Sequence, residues 1–311
     1  MALQLKRDYL NQKVLERLST LQLHARLPMV GNVSGKHRSP IRGSSLEFAE
    51  YRKYVPGDDT RRLDWRAYAR NDRYYIKEFE ADTNLRMCLI VDTSGSMDFE
   101  YNENPAGTGG EPGLSKLDYA RRVAGTLAYI AALQGDAVGL YCAGEAFHIE
   151  IPPKRSATHL SVVLDELGTM EASGETGLAD ILHETAERIP QRALIVVISD
   201  LFMEPETVRN CFEHLRFRKH DVAVFHLMEQ NELDFEFDRP MRFADMEGGE
   251  PILADPTVIG AQYRRAMEMY LESMDEVIRD TEVDYHRICI HENYGDVLAR
   301  FLLGRTPKRQ K

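Results

Sequence analysis

Asp92, Ser94 and Ser96 alternate directly after an apolar run, Leu85 to Val91, and set three oxygen-bearing side chains two positions apart. In an extended segment residues two apart share a side, so the three oxygens converge on one point just past a strand end. One carboxylate with two hydroxyls suits a hard divalent cation. Mg²⁺ fits this donor set, because it keeps part of its water shell and takes only one or two carboxylates from protein. A turn built from such common residue types also forms with no ligand at all, so the reading depends on further oxygens elsewhere in the chain.

Two later stretches supply them. Ser173-Gly174-Glu175-Thr176-Gly177 precedes a segment of helical apolar periodicity, and the apolar run Ala193 to Ser199 ends at Asp200. The ordered set Asp-x-Ser-x-Ser, Gly-x-Thr and strand-Ser-Asp resembles the metal-ion-dependent adhesion site of von Willebrand factor A domains. The resemblance implies Ser94, Ser96 and Thr176 as direct ligands, with Asp92 and Asp200 as carboxylates bound directly or through water. It implies Mg²⁺ as the cation, with Mn²⁺ or Ca²⁺ as alternatives, and an open coordination position that a carboxylate of a protein partner fills.

The elements that must position these residues follow from periodicity. Helices are predicted over Leu117 to Leu133, Ala157 to Leu167, Leu178 to Ile189, Glu206 to Arg218, Thr257 to Arg279 and Asp296 to Leu303. Strands are predicted over Leu85 to Val91, Ala137 to Ala143, Ala193 to Ser199, Val222 to Met228 and Asp284 to Ile290, with Ala146 to Ile151 as a hairpin partner. Strands alternating with helices make an α/β fold, a doubly wound, mostly parallel sheet with helices on both faces. Ligands of such sheets bind beyond the carboxyl ends of the strands, where Asp92 and Asp200 belong. Asp234 to Pro251, with Gly248-Gly249, reads as a β-hairpin extension.

Leu3 to Leu27 carries Leu5, Leu10, Val14, Leu18 and Leu21 at near-helical spacing and is expected as one amphipathic helix packed on the main domain, ended by Pro28. A partner-binding helix is the alternative. Gly31 to His37 is not a phosphate-binding loop: three residues separate its glycines and His37 follows Lys36. The stretch to Glu80 is read as irregular and rich in Arg and Tyr. Its order Glu47-Phe48, Tyr51-Arg52, Pro56-Gly57-Asp58-Asp59, Arg61, Asp64-Trp65, Ala69-Arg70 resembles the signature of the bacterial family called domain of unknown function 58. In that family the signature stands directly before a von Willebrand A-like domain, so the two resemblances support each other. Trp65, the only tryptophan, is expected to cluster with Phe48, Tyr51, Tyr54 and Tyr68, and Asp58-Asp59 is a weaker second cation candidate. The chain divides into residues 1–84, an A-like domain over 85–304 and a basic tail over 305–311. The loop Asp98 to Ser115 is expected at the rim of the site, with Glu100 or Glu103 as a conceivable internal plug.

Composition bounds the function. The 311 residues are 43% hydrophobic and carry a net charge of −11, which disfavours general nucleic-acid binding. The charge is uneven: Gly35 to Lys77 holds eleven Lys or Arg against six Asp or Glu, so the rest carries −16. A basic segment lying on an acidic domain is the simplest use. No apolar stretch approaches a membrane span, and Met1 to Asn11 is charged, so a soluble cytoplasmic protein is expected. The four cysteines are scattered and form no disulfide framework. His183-Glu184 lacks the second His of a zinc protease motif, and Ser94 stands where an Asp-x-Asp phosphatase needs its acid.

Together these readings make the chain a non-enzymatic, Mg²⁺-dependent protein-binding module. The family resemblance implies an adaptor or co-chaperone of a MoxR-type AAA+ ATPase. A metal-dependent hydrolase using the same site, and a metal-independent scaffold binding through the basic segment, are the alternatives.

Overall fold

The computed structural model describes residues 7–26, 47–53, 68, 74–80, 85–99, 114–144, 149–237, 239–249 and 251–306. Six strands form one sheet: β3 (Arg86–Asp92), β4 (Ala137–Ala143), β5 (Glu150–Lys154), β6 (Leu194–Ser199), β7 (Asp221–Met228) and β10 (Asp284–Cys289), in the order β10-β7-β6-β3-β4-β5. All neighbours pair in parallel except β5, which lies antiparallel to β4 at one edge. Pro152 and Pro153 suit that edge, where the missing N–H groups leave no central ladder broken. The central strands β3, β4 and β6 are apolar almost throughout because each faces protein on both sides.

Side chains of β3 alternate between two cores. Met87, Leu89 and Val91 pack with α2 (Lys116–Leu133), α3 (Ala157–Thr169) and α8 (Tyr294–Arg305), while Cys88 and Ile90 pack with α4 (Leu178–Arg188), α5 (Pro205–Phe217) and α7 (Pro256–Thr281). The doubly wound α/β arrangement expected from the sequence is therefore the observed one. The short helix α6 (Gln230–Asp234) follows β7, and a hairpin of β8 (Met241–Phe243) and β9 (Ile252–Ala254) stands outside the main sheet. No described helix is long and apolar enough to cross a membrane.

Four expectations need correction. The N-terminal helix α1 spans only Gln12–Leu18: Asn11 caps its start, accepting from the N–H of Lys13 and Val14. Beyond it the backbone finds partners on the main domain instead of a helical ladder, Leu23 N–H donating to Gln134 Oε1 at 3.1 Å and Gln134 Nε2 to the Leu21 carbonyl at 3.0 Å. Leu18 and Leu23 are fully buried, so the segment packs on the domain as expected, though not as one helix. The stretch read as irregular holds β1 (Glu47–Lys53) and β2 (Tyr75–Glu80), which pair antiparallel. Trp65, Arg61, Asp58 and Asp59 lie outside the described residues; Tyr68 stacks on Tyr74 with ring centroids 4.5 Å apart. The partner strand of β4 begins at Glu150, later than read.

Finally, Arg305 is no tail residue. It closes α8 fully buried, its guanidinium 2.8 Å from Asp284 Oδ2 and 2.9 Å from Asp221 Oδ2. Asp221 Oδ2 also accepts the backbone N–H of Arg26 at 2.7 Å, so this charge cluster ties both flanks of the chain to the sheet.

Candidate functional site

At the carboxyl end of β3 the chain leaves the sheet and tightens into a 3₁₀ turn, Gly95–Asp98. Backbone bonds hold this loop against its neighbours. Thr93 N–H donates to the Ala143 carbonyl at 2.8 Å, Ser173 N–H to the Thr93 carbonyl at 2.9 Å, and Gly95 N–H to the Gly174 carbonyl at 2.9 Å. The loop carrying Thr176 is thereby stitched to the loop carrying the serines.

Four of the five residues singled out by the sequence meet in one hydrogen-bonded cluster. Asp92 Oδ1 accepts from Ser94 N–H at 3.0 Å, and its Oδ2 accepts from Ser199 Oγ at 2.7 Å and, more weakly, from Thr176 Oγ1 at 3.4 Å. Ser94 Oγ lies 3.1 Å from Ser96 Oγ. Asp92 and Ser94 form a buried floor, whereas Ser96 and Thr176 are half-exposed at the mouth. The fifth residue, Asp200, follows β6 immediately and is buried beside Asp92. Burial, and then the nearby Asp200 charge, push the Asp92 carboxyl up to about 6, against the pull of its Ser199 and Ser94 hydrogen bonds.

Asp200 has a cation beside it that sequence reasoning did not find. Lys116, fully buried at the start of α2, places Nζ 2.7 Å from Asp200 Oδ2 and 2.6 Å from Glu232 Oε1, with the Phe202 ring centroid 4.9 Å away. Burial alone would discharge this ammonium, but Asp200 and Glu232 outweigh it and hold the Lys116 pKa above its ordinary value. The other oxygen of Glu232 accepts the Glu229 N–H at 2.8 Å, which fixes the carboxylate at the first turn of α6. In the sequence, the one signal was a lysine heading an otherwise apolar helix face, after its Ser115 cap.

The hairpin reaches the same mouth. Any Cβ on Gly95 would collide with the carbonyl oxygen of Met246, so the hairpin turn lies directly on the serine loop. Burial raises the Glu247 carboxyl above its ordinary range and the charges of Asp200, Asp245 and Glu175 add to the rise, against the pull of the nearby Ser96 hydroxyl. No local signal marked Glu247, because its role depends on where the hairpin lands.

Among the described residues no group of three or more His, Cys, Asp and Glu side chains is arranged to hold a metal ion. The set here differs in kind: three hydroxyls and two carboxylates, all hard oxygens. Among the described residues its charges are the buried carboxylates of Asp92 and Asp200 and the partly buried one of Glu232 against one ammonium, Lys116, a surplus of negative charge that a divalent cation would neutralise. On that count the residues fit a hard cation. Ser94, Ser96 and Thr176 would hold it, with Asp92 and the Asp200 oxygen not facing Lys116.

The chain is 27% identical over 275 residues to the uncharacterized protein Rv1480 of Mycobacterium tuberculosis and, equally, to the uncharacterized protein Mb1516 of Mycobacterium bovis, covering 84% of this chain and 82% of each relative. Among solved structures it is similar to the hypothetical protein BatB of Bacteroides thetaiotaomicron, with 18% identity, a TM-score of 0.43, and 71% of this chain and 98% of that one covered. It is also similar to the SpRpn10 VWA domain, at 10% identity and a TM-score of 0.39, covering 72% of this chain and 96% of the other. The family described as protein of unknown function DUF58 matches over residues 50–271, most of the chain, and the chain belongs to that family.

Proposed function

We propose that this chain is a non-enzymatic protein-binding module whose site at the tips of β3 and β6 holds Mg²⁺, with Mn²⁺ or Ca²⁺ as substitutes, and takes a carboxylate from a protein partner. The observation that carries the reading is the convergence of Asp92, Ser94, Ser96 and Thr176 in one hydrogen-bonded cluster next to Asp200. A cation held mostly by neutral hydroxyls stays electron-poor and favours an anionic ligand at its open position. Ser96 and Thr176 at the mouth are where an outside ligand can approach. The cysteines, all free, fit a reducing, cytoplasmic setting. The resemblance of the 47–70 stretch to its family supports a MoxR-type AAA+ ATPase as the partner.

A pull-down with the tagged protein tests this, comparing Mg²⁺, chelator and an Asp92→Ala/Asp200→Ala variant. Retention of an AAA+ ATPase only with metal and intact aspartates supports the reading. Identical partners in all three samples would sink it and favour binding through the basic segment around Arg61 and Arg66. Hydrolysis of generic phosphate esters that vanishes in Asp92→Ala would favour an enzyme instead.

A further inference from the structure

The turn of the β8–β9 hairpin closes over the mouth of the candidate site. Gly248, with φ +107°, lets the chain reverse where an L side chain would be strained. Asp245 Oδ1 accepts the Glu247 N–H at 2.8 Å and so fixes the turn. The Met246 carbonyl oxygen fills the space above Gly95 that a side chain there would need. Glu247, the next residue of the turn, brings its carboxylate near the Ser96 hydroxyl at the mouth of the candidate metal set. The charges acting on Glu247 from Asp200, Asp245 and Glu175 are all negative.

We infer that Glu247 is a built-in occupant of the adhesion position, a carboxylate of the chain's own hairpin standing where a partner's carboxylate would meet the cation. The inference rests on the metal-dependent reading above. It makes the hairpin an internal competitor, and it specifies the partner's chemistry: a protein loop with an exposed Asp or Glu that displaces the Asp245–Gly249 turn as it binds.

The test uses the full 311-residue chain with Mn²⁺ as the probe and water-proton relaxation as the readout of water bound to the ion. In Glu247→Gln, water enters the position the carboxylate leaves. Relaxivity per bound Mn²⁺ rises, Mn²⁺ affinity falls several-fold, and free acetate lowers the relaxivity of the variant but not of the wild type. Hydrogen exchange in residues 241–254 slows on Mn²⁺ addition in the wild type only. Two failures are distinct. If Mn²⁺ binds the wild type and is lost in Asp92→Ala, yet Glu247→Gln changes neither affinity nor relaxivity, this inference falls and the metal reading stands. If the wild type binds no Mn²⁺, both fall. A wild-type relaxivity that changes with protein concentration would mean that Glu247 arrives from a second copy, which overturns the internal arrangement.

Discussion

Lys116 Nζ and Asp200 Oδ2 lie 2.7 Å apart with the lysine side chain wholly sealed from solvent, so one of the two strand-tip carboxylates is already half neutralised by an ammonium. Only one oxygen of Asp200 is left to face Asp92 and the serines. The pair therefore limits how negative this end of the sheet is and how strong a pull it would exert on a cation.

Replacing Lys116 by Met leaves Asp200 and Glu232 without their shared counter-charge. Breaking a buried pair by removing one partner costs about 3–5 kcal/mol. Urea unfolding in chelator should show a loss of that order, and saturating Mg²⁺ should restore part of it, since added negative charge at the tip strengthens the cation's hold. An unchanged midpoint would mean that the ammonium contributes nothing to this end of the sheet.

Mg²⁺ should stabilise the wild type by mass action, by about 2.7 kcal/mol at a hundredfold excess over its dissociation constant. Thermal melts with and without chelator check this. The shift should vanish in Asp92→Ala/Asp200→Ala, and a wild-type melt indifferent to both reagents would refute cation binding.

Asp92 predicts an unusual pH dependence in the metal-free protein. Its folded carboxyl is raised from 3.8 to about 6, so the folded state binds the proton more tightly than the unfolded chain does. The stabilisation this gives is present below the unfolded value and is lost as pH rises through about 6, by an amount on the order of 3 kcal/mol. Comparing wild type with Asp92→Asn between pH 4 and 7.5 isolates the effect: the difference in unfolding free energy between the two should change across that window. Parallel pH curves would count against the shift.

Arg305 should behave as a core residue. Arg305→Met takes the buried guanidinium from Asp221 and Asp284 and is expected to cost about 3–5 kcal/mol, and Lys should rescue it only in part, because a single ammonium cannot reproduce the separate contacts of Nε with Asp284 and of Nη1 with Asp221 and the His24 carbonyl. Denaturant midpoints of Arg305→Met, Arg305→Lys and a chain ending at Thr306 decide the matter; the last should match the wild type.

Gly95→Ala should push the hairpin off the serine loop without harming the sheet. The clash is with the Met246 backbone, which cannot rotate away, and a forced backbone shift of this sort costs about 1–3 kcal/mol. Limited proteolysis within residues 241–254 should accelerate, while the far-ultraviolet spectrum and core exchange rates stay as they were.

What the sequence revealed and what it hid divide along physical lines. β3 and β6 were legible because central parallel strands are buried on both faces and read as unbroken apolar runs that end at Asp92 and Asp200. The Ser-Gly-Ser and Thr176 elements were legible because their spacing is local. The pairing of β1 with β2 was not, since neither strand is apolar throughout and the partner lies more than twenty residues away. Lys116 meets partners 84 and 116 positions further on, and Glu247 depends on the landing of a hairpin, so the partners of neither can be read from its own neighbourhood. Leu21 to Arg26, expected as the end of the N-terminal helix, instead alternates Leu21, Leu23 and Ala25 with polar residues, and its backbone bonds to Gln134 and Asp221 on the main domain.

The charge cluster of Arg305, Asp221, Asp284 and Arg26 also sets a schedule for synthesis. Every residue of the candidate site is made by position 247, whereas the one guanidinium that meets both Asp221 and Asp284 comes only at 305, Arg26 reaching Asp284 alone with its side chain. Until β10 is made, β7 has an unpaired edge and carries Asp221, a carboxylate that burial would penalise. The sheet is therefore completed last at the side away from β5, after the strands that carry the candidate site have already been made.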